Sequence, residues 1–388
     1  MLPGSIIARL SDAGASTLDI MKPTHFSRRR FLETLTSASA IAMAPPPLFA
    51  DAEGGRKLGI ALVGLGKYST GQLGPALKLT KACKLAGVVT GSPAKGRQWA
   101  ADHGFPETSI YSYETISRIA DNPDIDIVYV VTPNSLHVEH AIAAAKAGKH
   151  VISEKPLATN VAQCDAIIAA CKEAKVRLGV GYRMHYEPCA NELKRLAKTE
   201  EIGPFKKMDG GFSFVLKGQQ WRIEKGLSGG GPLMDLGIYV MQSHFMVAGD
   251  AMPVAITARE LPKERPDFFK EVEETIEWTM EFANGATGSA LTSYNQQRNE
   301  FRAESERGWL HVKSAYGYKG QKAGSHLGPF EFVAPASVQA LQMDAFASHV
   351  RDGTPNLVPG EMGRRDLVVV EAIYASAAAG GKRVELKF

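Results

Sequence analysis

The sequence predicts a two-part α/β plus α+β protein, with a doubly wound parallel sheet first and a large, mainly antiparallel open sheet after it. Three observations carry this. Residues 58–181 alternate short apolar runs with stretches of helical periodicity, as in a parallel sheet covered on both faces. From residue 205 the pattern changes to strands with little helix between them. The length of 388 residues exceeds one ordinary core, and at roughly 100–200 residues per domain it suggests about two.

In the first part, residues 58–63, 84–89, 126–131, 150–153 and 177–181 read as buried strands. Residues 92–103, 113–122, 136–147 and 161–174 carry apolar side chains at helical spacing, and Gly148 stands where a left-handed cap ends the third of these. In the second part, residues 205–216, 254–260, 272–282, 288–294, 300–305 and 309–313 read as strands. Glu273, Thr275 and Glu277 alternate with Ile276 and Trp278, which predicts one polar and one packed face. Helical stretches at 341–351 and 361–378 close the chain and are free to pack back on the first part. The resulting division is 1–52, 53–180 and 181–388, the last a substrate and oligomerisation domain.

Composition excludes several classes. Hydrophobic residues at 44% and charged residues at 22% exclude wholesale disorder, collagen and coiled coil. A net charge of +4 is too small to argue for nucleic acid, which needs basic residues gathered in a patch. Cys83, Cys164, Cys171 and Cys189 show no paired spacing, so neither a disulfide framework nor a metal site is signalled.

The first 52 residues differ from the rest. Ser27-Arg28-Arg29-Arg30-Phe31-Leu32 precedes a modest apolar stretch, Pro45-Pro46-Pro47 and an Ala50-Asp51-Ala52 processing pattern. This resembles a twin-arginine export signal, which implies the export machinery as a partner and a periplasmic location without a permanent membrane anchor. Proteins exported folded carry their cofactors with them. A cofactor that cannot be replaced afterwards has to be held tightly.

Gly64-Leu65-Gly66 follows the first strand directly, where glycines allow a tight turn and close approach to a pyrophosphate. Ser69 stands where the usual fingerprint has a third glycine, so the strand before it and the repeating pattern after it carry the reading of a Rossmann dinucleotide site. An acid at the end of the second strand would favour NAD. Here Thr90-Gly91-Ser92 leads to Lys95 and Arg97 with no acid between, which suits the 2′-phosphate of NADP; a solvated helix start reads the same way.

Glu154-Lys155-Pro156 after the fifth strand, Thr132-Pro133-Asn134-Ser135-Leu136-His137 before it and Gly181-Tyr182-Arg183-Met184-His185-Tyr186 after it resemble the Gfo/Idh/MocA oxidoreductases. Gly64 to Tyr68, Gln220-Trp221-Arg222 and Gly229-Gly230-Gly231-Pro232-Leu233-Met234-Asp235-Leu236-Gly237-Ile238-Tyr239 are similar to the glucose–fructose branch, and most of all to its exported members that couple two aldoses. The resemblance covers nearly the whole chain after residue 52. It implies Lys155, Tyr239 and Asp235 as the catalytic group, with Lys155, Arg183, Asp235, Tyr239 and Tyr318 contacting sugar. It implies cofactor contacts from Gly64, Leu65, Gly66, Lys67, Tyr68, Thr90, Lys95, Tyr113, Pro133, Asn134, His137, Glu154, Lys155, Arg183, Trp221 and Arg222.

The residues themselves support part of this. A lysine in a sharp turn at a strand end is placed to stabilise a developing alkoxide. Asp235 and Tyr239 are four apart in a helical stretch and share a face, so a phenol beside an ammonium could exchange a proton with a sugar oxygen. The Gly229–Gly231 run suits a loop pressed against a ligand. His137 and His185 fit a structural role as well as a ligand contact. The expected activity is oxidation of one aldose to its lactone and reduction of a second sugar to its alditol at one site, with NADP bound throughout. An NAD-dependent glycosidase of similar fold, a dehydrogenase with exchanging cofactor and a non-catalytic sugar-binding protein are the competing readings. A dimer or larger homo-oligomer is expected from the second sheet.

Overall fold

The computed structural model describes residues 55–387, so the export-signal reading of residues 1–52 falls outside the described residues. The parallel sheet has six strands: β1 (Leu58–Val63), β2 (Cys83–Val89), β3 (Ile110–Tyr111), β4 (Ile127–Val130), β5 (His150–Ser153) and β6 (Leu178–Val180). Their spatial order is β3-β2-β1-β4-β5-β6, with every pair parallel. This is the doubly wound order whose strands reverse direction of travel between β1 and β4, and ligands bind such sheets at the strands' carboxyl ends there. β1 and β4 are buried at every position, which explains their continuous apolar runs.

Three helices in this part are α1 (Pro93–His103), α2 (His137–Lys146) and α3 (Val161–Glu173). Ser92 caps α1 by accepting from Lys95 N at 3.4 Å, Pro93 occupies its first turn, and Asn160 caps α3 at 2.9 Å. Gly148, just past α2, has φ of +73°, the left-handed value that lets the chain leave the helix. The stretch expected to be helical at 113–122 is instead a 3-10 helix, Tyr113–Asp121. Its buried residues are Ile116 and Ile119, and a spacing of three matches three residues per turn better than 3.6.

The second sheet has nine strands: β7 (Phe205–Ser213), β8 (Pro253–Glu260), β9 (Thr275–Phe282), β10 (Thr287–Ser293), β11 (Arg298–Ser305), β12 (Trp309–Lys313), β13 (Lys322–Ser325), β14 (Gly328–Pro329) and β15 (Val384–Glu385). Their order is β14-β13-β12-β11-β7-β10-β9-β8-β15; β7 and β10 run parallel and the other neighbours antiparallel. β9 begins three residues later than its apolar pattern suggests. Glu273 and Glu274 are buried and spend their carboxylates on loops: Glu273 accepts from Gly231 N and Leu233 N, and Glu274 from Glu264 N and Arg265. Glu273 therefore does not belong to a polar sheet face.

Four further helices are α4 (Pro188–Thr199), α5 (Ile238–Val247), α6 (Val338–Asp352) and α7 (Gly360–Ala378). Ala340, Met343, Phe346 and Ala347 of α6 enter the same apolar core as Ile60, Leu62, Leu85 and Ile127 of the parallel sheet. Asp344 of α6 accepts from Lys81 N and Ala82 N, which fastens that helix to the loop before β2. The four cysteines are buried and unpaired.

Candidate active site

The carboxyl ends of the parallel strands bring the first group of residues together. Gly64 follows β1, Thr90 follows β2, Pro133 and Asn134 follow β4, and Glu154 and Lys155 follow β5. Gly64 has φ of +97°, and a Cβ there would lie 2.9 Å from the Val131 carbonyl, so the turn after β1 requires glycine. Gly66 faces open space at its Cβ position. Ser69 Oγ donates to Gly64 O at 2.6 Å, so the residue at the usual third-glycine position tightens the turn instead. Leu65 points into the core, whereas Lys67 is exposed and Tyr68 is half-buried, its ring stacked 6.4 Å from that of Tyr318.

After β2, Ser92 N donates to the Thr90 hydroxyl at 3.1 Å, and the side chains of Lys95 and Arg97 are exposed on the first turn and a half of α1. Tyr113 lies beside Gly91 and stacks on His140 with ring centres 5.2 Å apart. The donor-rich end of β2 and the open space over Gly66 fit a dinucleotide with its phosphates at the β1 turn.

A second group converges from the other part of the chain. Leu233–Gly237 forms one wide turn that leads into α5, and it carries Asp235. Lys155 Nζ donates to Asp235 O at 2.6 Å and reaches Asp235 Oδ1 at 3.3 Å. The same ammonium lies 4.6 Å from the ring centre of Tyr239. Asp235 Oδ2 accepts from Arg222 Nε at 2.9 Å and from Tyr294 Oη at 3.0 Å. Arg222 in turn lies over the Trp221 ring at 4.7 Å. Burial alone would raise the pKa of Asp235, but Arg222, Lys155 and the two hydrogen bonds outweigh it and hold the carboxyl below the usual range. Burial and the neighbouring Asp235 push the Tyr294 phenol well up. With side chains only 11% and 14% exposed, Lys155 and Asp235 form a semi-enclosed pair whose geometry is fixed from three sides.

Glu154 is fixed from behind. Its carboxylate accepts from Tyr129 Oη at 2.7 Å and Lys155 N at 3.2 Å, and Gln342 of α6 donates to Tyr129 Oη at 3.1 Å. Burial raises the Glu154 pKa, with Tyr129 and Lys155 opposing it. Asn134 donates to Ser228 O at 2.8 Å, tying the loop after β4 to the segment before the glycine run.

Several expected contacts have a different geometry. His137 is fully buried, with its ring nitrogens each 2.9 Å from the carbonyls of Pro156 and Thr132, so its side chain braces the turn that carries Lys155. The Gly229–Gly231 run is pressed closely against protein. An added Cβ would sit 2.8 Å from Thr159 at Gly229, 2.0 Å from Tyr374 Oη at Gly230 and 2.3 Å from Glu273 O at Gly231. Arg183 is 2% exposed, and its guanidinium pairs with Glu187 and donates to Tyr316 O at 2.6 Å. It faces the cleft through the rings of Tyr239 and Tyr318. Tyr294, Tyr129, Gln342 and Tyr316 were not legible as site residues, since each joins through contacts distant in sequence, and Glu187, four residues from Arg183, carries no motif that marks it.

His185 is also structural. Lys194 Nζ donates to its Nδ1 at 3.0 Å, which leaves the proton on Nε2 to be donated to Gln242 Oε1 at 2.8 Å. Burial, reinforced by Lys194 and opposed by Gln242, lowers its pKa to about 3. The unfolded chain takes up this proton near pH ~6.5, so the stability contributed by the neutral ring is complete above that pH. It is lost as pH falls toward about 3. Thermal melts of the intact protein should therefore decline on acidification below pH ~6.5, and His185→Gln should flatten that decline. Equal slopes for both proteins would contradict the assignment.

The strand order, the glycine turn at its switch point and a Lys–Tyr–Asp group beside it define a dinucleotide-dependent oxidoreductase. Residues 58–182 match the oxidoreductase family with an NAD-binding Rossmann fold, and residues 190–311 match the GFO/IDH/MocA C-terminal domain. The chain belongs to the Gfo/Idh/MocA oxidoreductase family. It is similar to the aldose–aldose oxidoreductase of Caulobacter crescentus, whose crystal structure contains glycerol, at 39% identity and a TM-score of 0.83. That likeness covers 85% of this chain and 100% of the Caulobacter chain. The NADP-dependent D-xylose 1-dehydrogenase of Haloarcula marismortui is 32% identical over 213 residues, 53% of this chain and 59% of that enzyme. A second NADP-dependent D-xylose 1-dehydrogenase, from Haloferax volcanii, is 26% identical over 304 residues, 76% of this chain and 90% of its own.

Proposed function

We propose that this protein is an exported sugar oxidoreductase that holds NADP tightly. One aldose is oxidised to its lactone, and a second aldose or a ketose is then reduced to its alditol at the same site. The observation that carries this reading is the Lys155 ammonium, fixed by Asp235 and lying 4.6 Å from the Tyr239 ring centre at the switch point of the parallel sheet. The 39% identity with an aldose–aldose oxidoreductase supports the sugar pair, and exposed Lys95 and Arg97 after an acid-free β2 end support NADP over NAD. The twin-arginine pattern at Ser27–Leu32 supports export and, with it, a cofactor that does not leave.

NADP, when bound, supplies the two-electron redox chemistry. The chain's own residues manage the proton and the charge. Tyr239, entering the oxidative half as its phenolate, takes the proton of the sugar hydroxyl as the C–H bond is oxidised, and it returns that proton in the reductive half. Lys155 stabilises the oxygen that carries the intermediate negative charge. Asp235, ionised and spent on Lys155, Arg222 and Tyr294, orients the lysine and takes no proton. Gly64 and Gly66 of the β1 turn would hold the pyrophosphate, with Lys95 and Arg97 at the start of α1 toward the 2′-phosphate.

Denaturing the purified mature protein and identifying the released nucleotide by mass tests the cofactor reading. About one NADP per chain is expected. Released NAD together with glycoside cleavage would point to the glycosidase, and an empty protein that turns over only with added NADP would point to an ordinary dehydrogenase.

A further inference from the structure

The most heavily buried charge near the site belongs to a residue that the proposed chemistry does not use. Arg183 follows β6 in a short 3-10 turn, Arg183–Tyr186, and two distant elements and the residue next after it clamp that turn. Tyr182 Oη donates to Asp366 of α7, His185 meets Gln242 of α5, and Arg183 pairs with Glu187 at the start of α4. Such fixation places the guanidinium with little freedom. Its Cζ lies 5.1 Å from the ring centre of Tyr239 and 4.6 Å from that of Tyr318. Nη2 donates to Tyr316 O at 2.6 Å and Nη1 to Gly317 O at 3.4 Å. Nε is buried with no partner among the described residues.

These contacts divide into two kinds. The charge sits over the phenol ring that also has Lys155 over it, so Tyr239 is the meeting point of two cations. The planar fork holds the backbone of Tyr316 and Gly317, whose next residue, Tyr318, is 47% exposed and stacks toward Tyr68 of the first loop. Tyr318 is therefore the accessible wall of the cleft, and half-buried Tyr239 its chemical group.

We propose that Arg183 is a positioning residue that serves the two halves of the site separately: its charge supports negative charge developing on Tyr239 during proton transfer, and its fork sets the substrate loop that presents Tyr318. This inference rests on the reading of Tyr239 as the acid/base. Neither role requires Arg183 to touch sugar or cofactor.

The halves separate by substitution. Arg183→Lys keeps a charge near the rings but loses the fork, so KM for sugar should rise about ten-fold while kcat stays within about three-fold. Arg183→Met combined with Glu187→Met removes both charges without leaving a lone buried carboxylate. This pair should also lower kcat by about 10–100-fold. In a Tyr239→Phe background, the same pair should lower the remaining kcat by no more than about two-fold, because the group that the charge supports is gone. Bound nucleotide and melting temperature are measured for each protein.

An equal kcat loss with and without the Tyr239 hydroxyl would overturn the inference and leave the proposed function standing. Full turnover in Tyr239→Phe alone would overturn both. Should the double replacement fail to fold, the Arg183→Lys result still decides: a fall in kcat with unchanged KM contradicts the loop assignment.

Discussion

Replacing Lys155 by alanine should lower turnover by at least about 10²–10³-fold, the loss that follows removal of one preorganised donor to a developing oxyanion, while the nucleotide stays bound. The ammonium is held by the carbonyl and carboxylate of Asp235 and lies over the Tyr239 ring, while Arg183, the other cation over that ring, is tied to Glu187 and the Tyr316 carbonyl. Asp235 keeps Arg222 and Tyr294 after the replacement, which leaves its charge paired and the fold intact. The measurements are kcat at saturating sugar and nucleotide content per chain. Turnover within a few-fold of the intact protein would remove Lys155 from the mechanism. Loss of the nucleotide would instead make it a cofactor anchor.

Tyr239→Phe should have an effect of similar size, roughly 10²–10⁴-fold in kcat, as expected for a lost general acid/base. The replacement deletes one oxygen. The ring keeps its edge contact with Phe212 at 5.6 Å and its neighbour Tyr316 at 6.3 Å, so packing and melting temperature should barely change. A loss confined to KM would reassign the phenol to sugar binding. A large fall in melting temperature would mean the hydroxyl is structural.

Much of this architecture was legible in the residues because the signals are local. Buried runs such as LGIALV at β1 declare a parallel strand, and the glycine turn after it declares the switch point. The Glu154-Lys155-Pro156 turn and the Asp235–Tyr239 spacing brought forward two groups that meet in space although 80 residues separate Lys155 from Asp235. Residues that hold those groups in place were not legible. Tyr294 reaches Asp235 across 59 residues, and Gln342 reaches Tyr129 across 213, with nothing in the flanking sequence to mark either.

The glycine run was partly legible for a related reason. A need for small residues is visible in sequence, but the atoms that impose it are not: here Tyr374 and Glu273 crowd the glycines. The order of the second sheet was equally hidden. An alternating pattern says that a strand has two faces, yet it does not say that β7 lies between β11 and β10 and runs parallel to one of them.

We propose that the redox cofactor never leaves the protein, so that a second sugar has to reset it. The direct measurement mixes the native, purified protein with an aldose and follows products with no nucleotide added. Many turnovers per chain are expected, with aldonate and alditol formed in equal amounts. A single turnover that stops, resuming only when free NADP is supplied, would contradict the proposal.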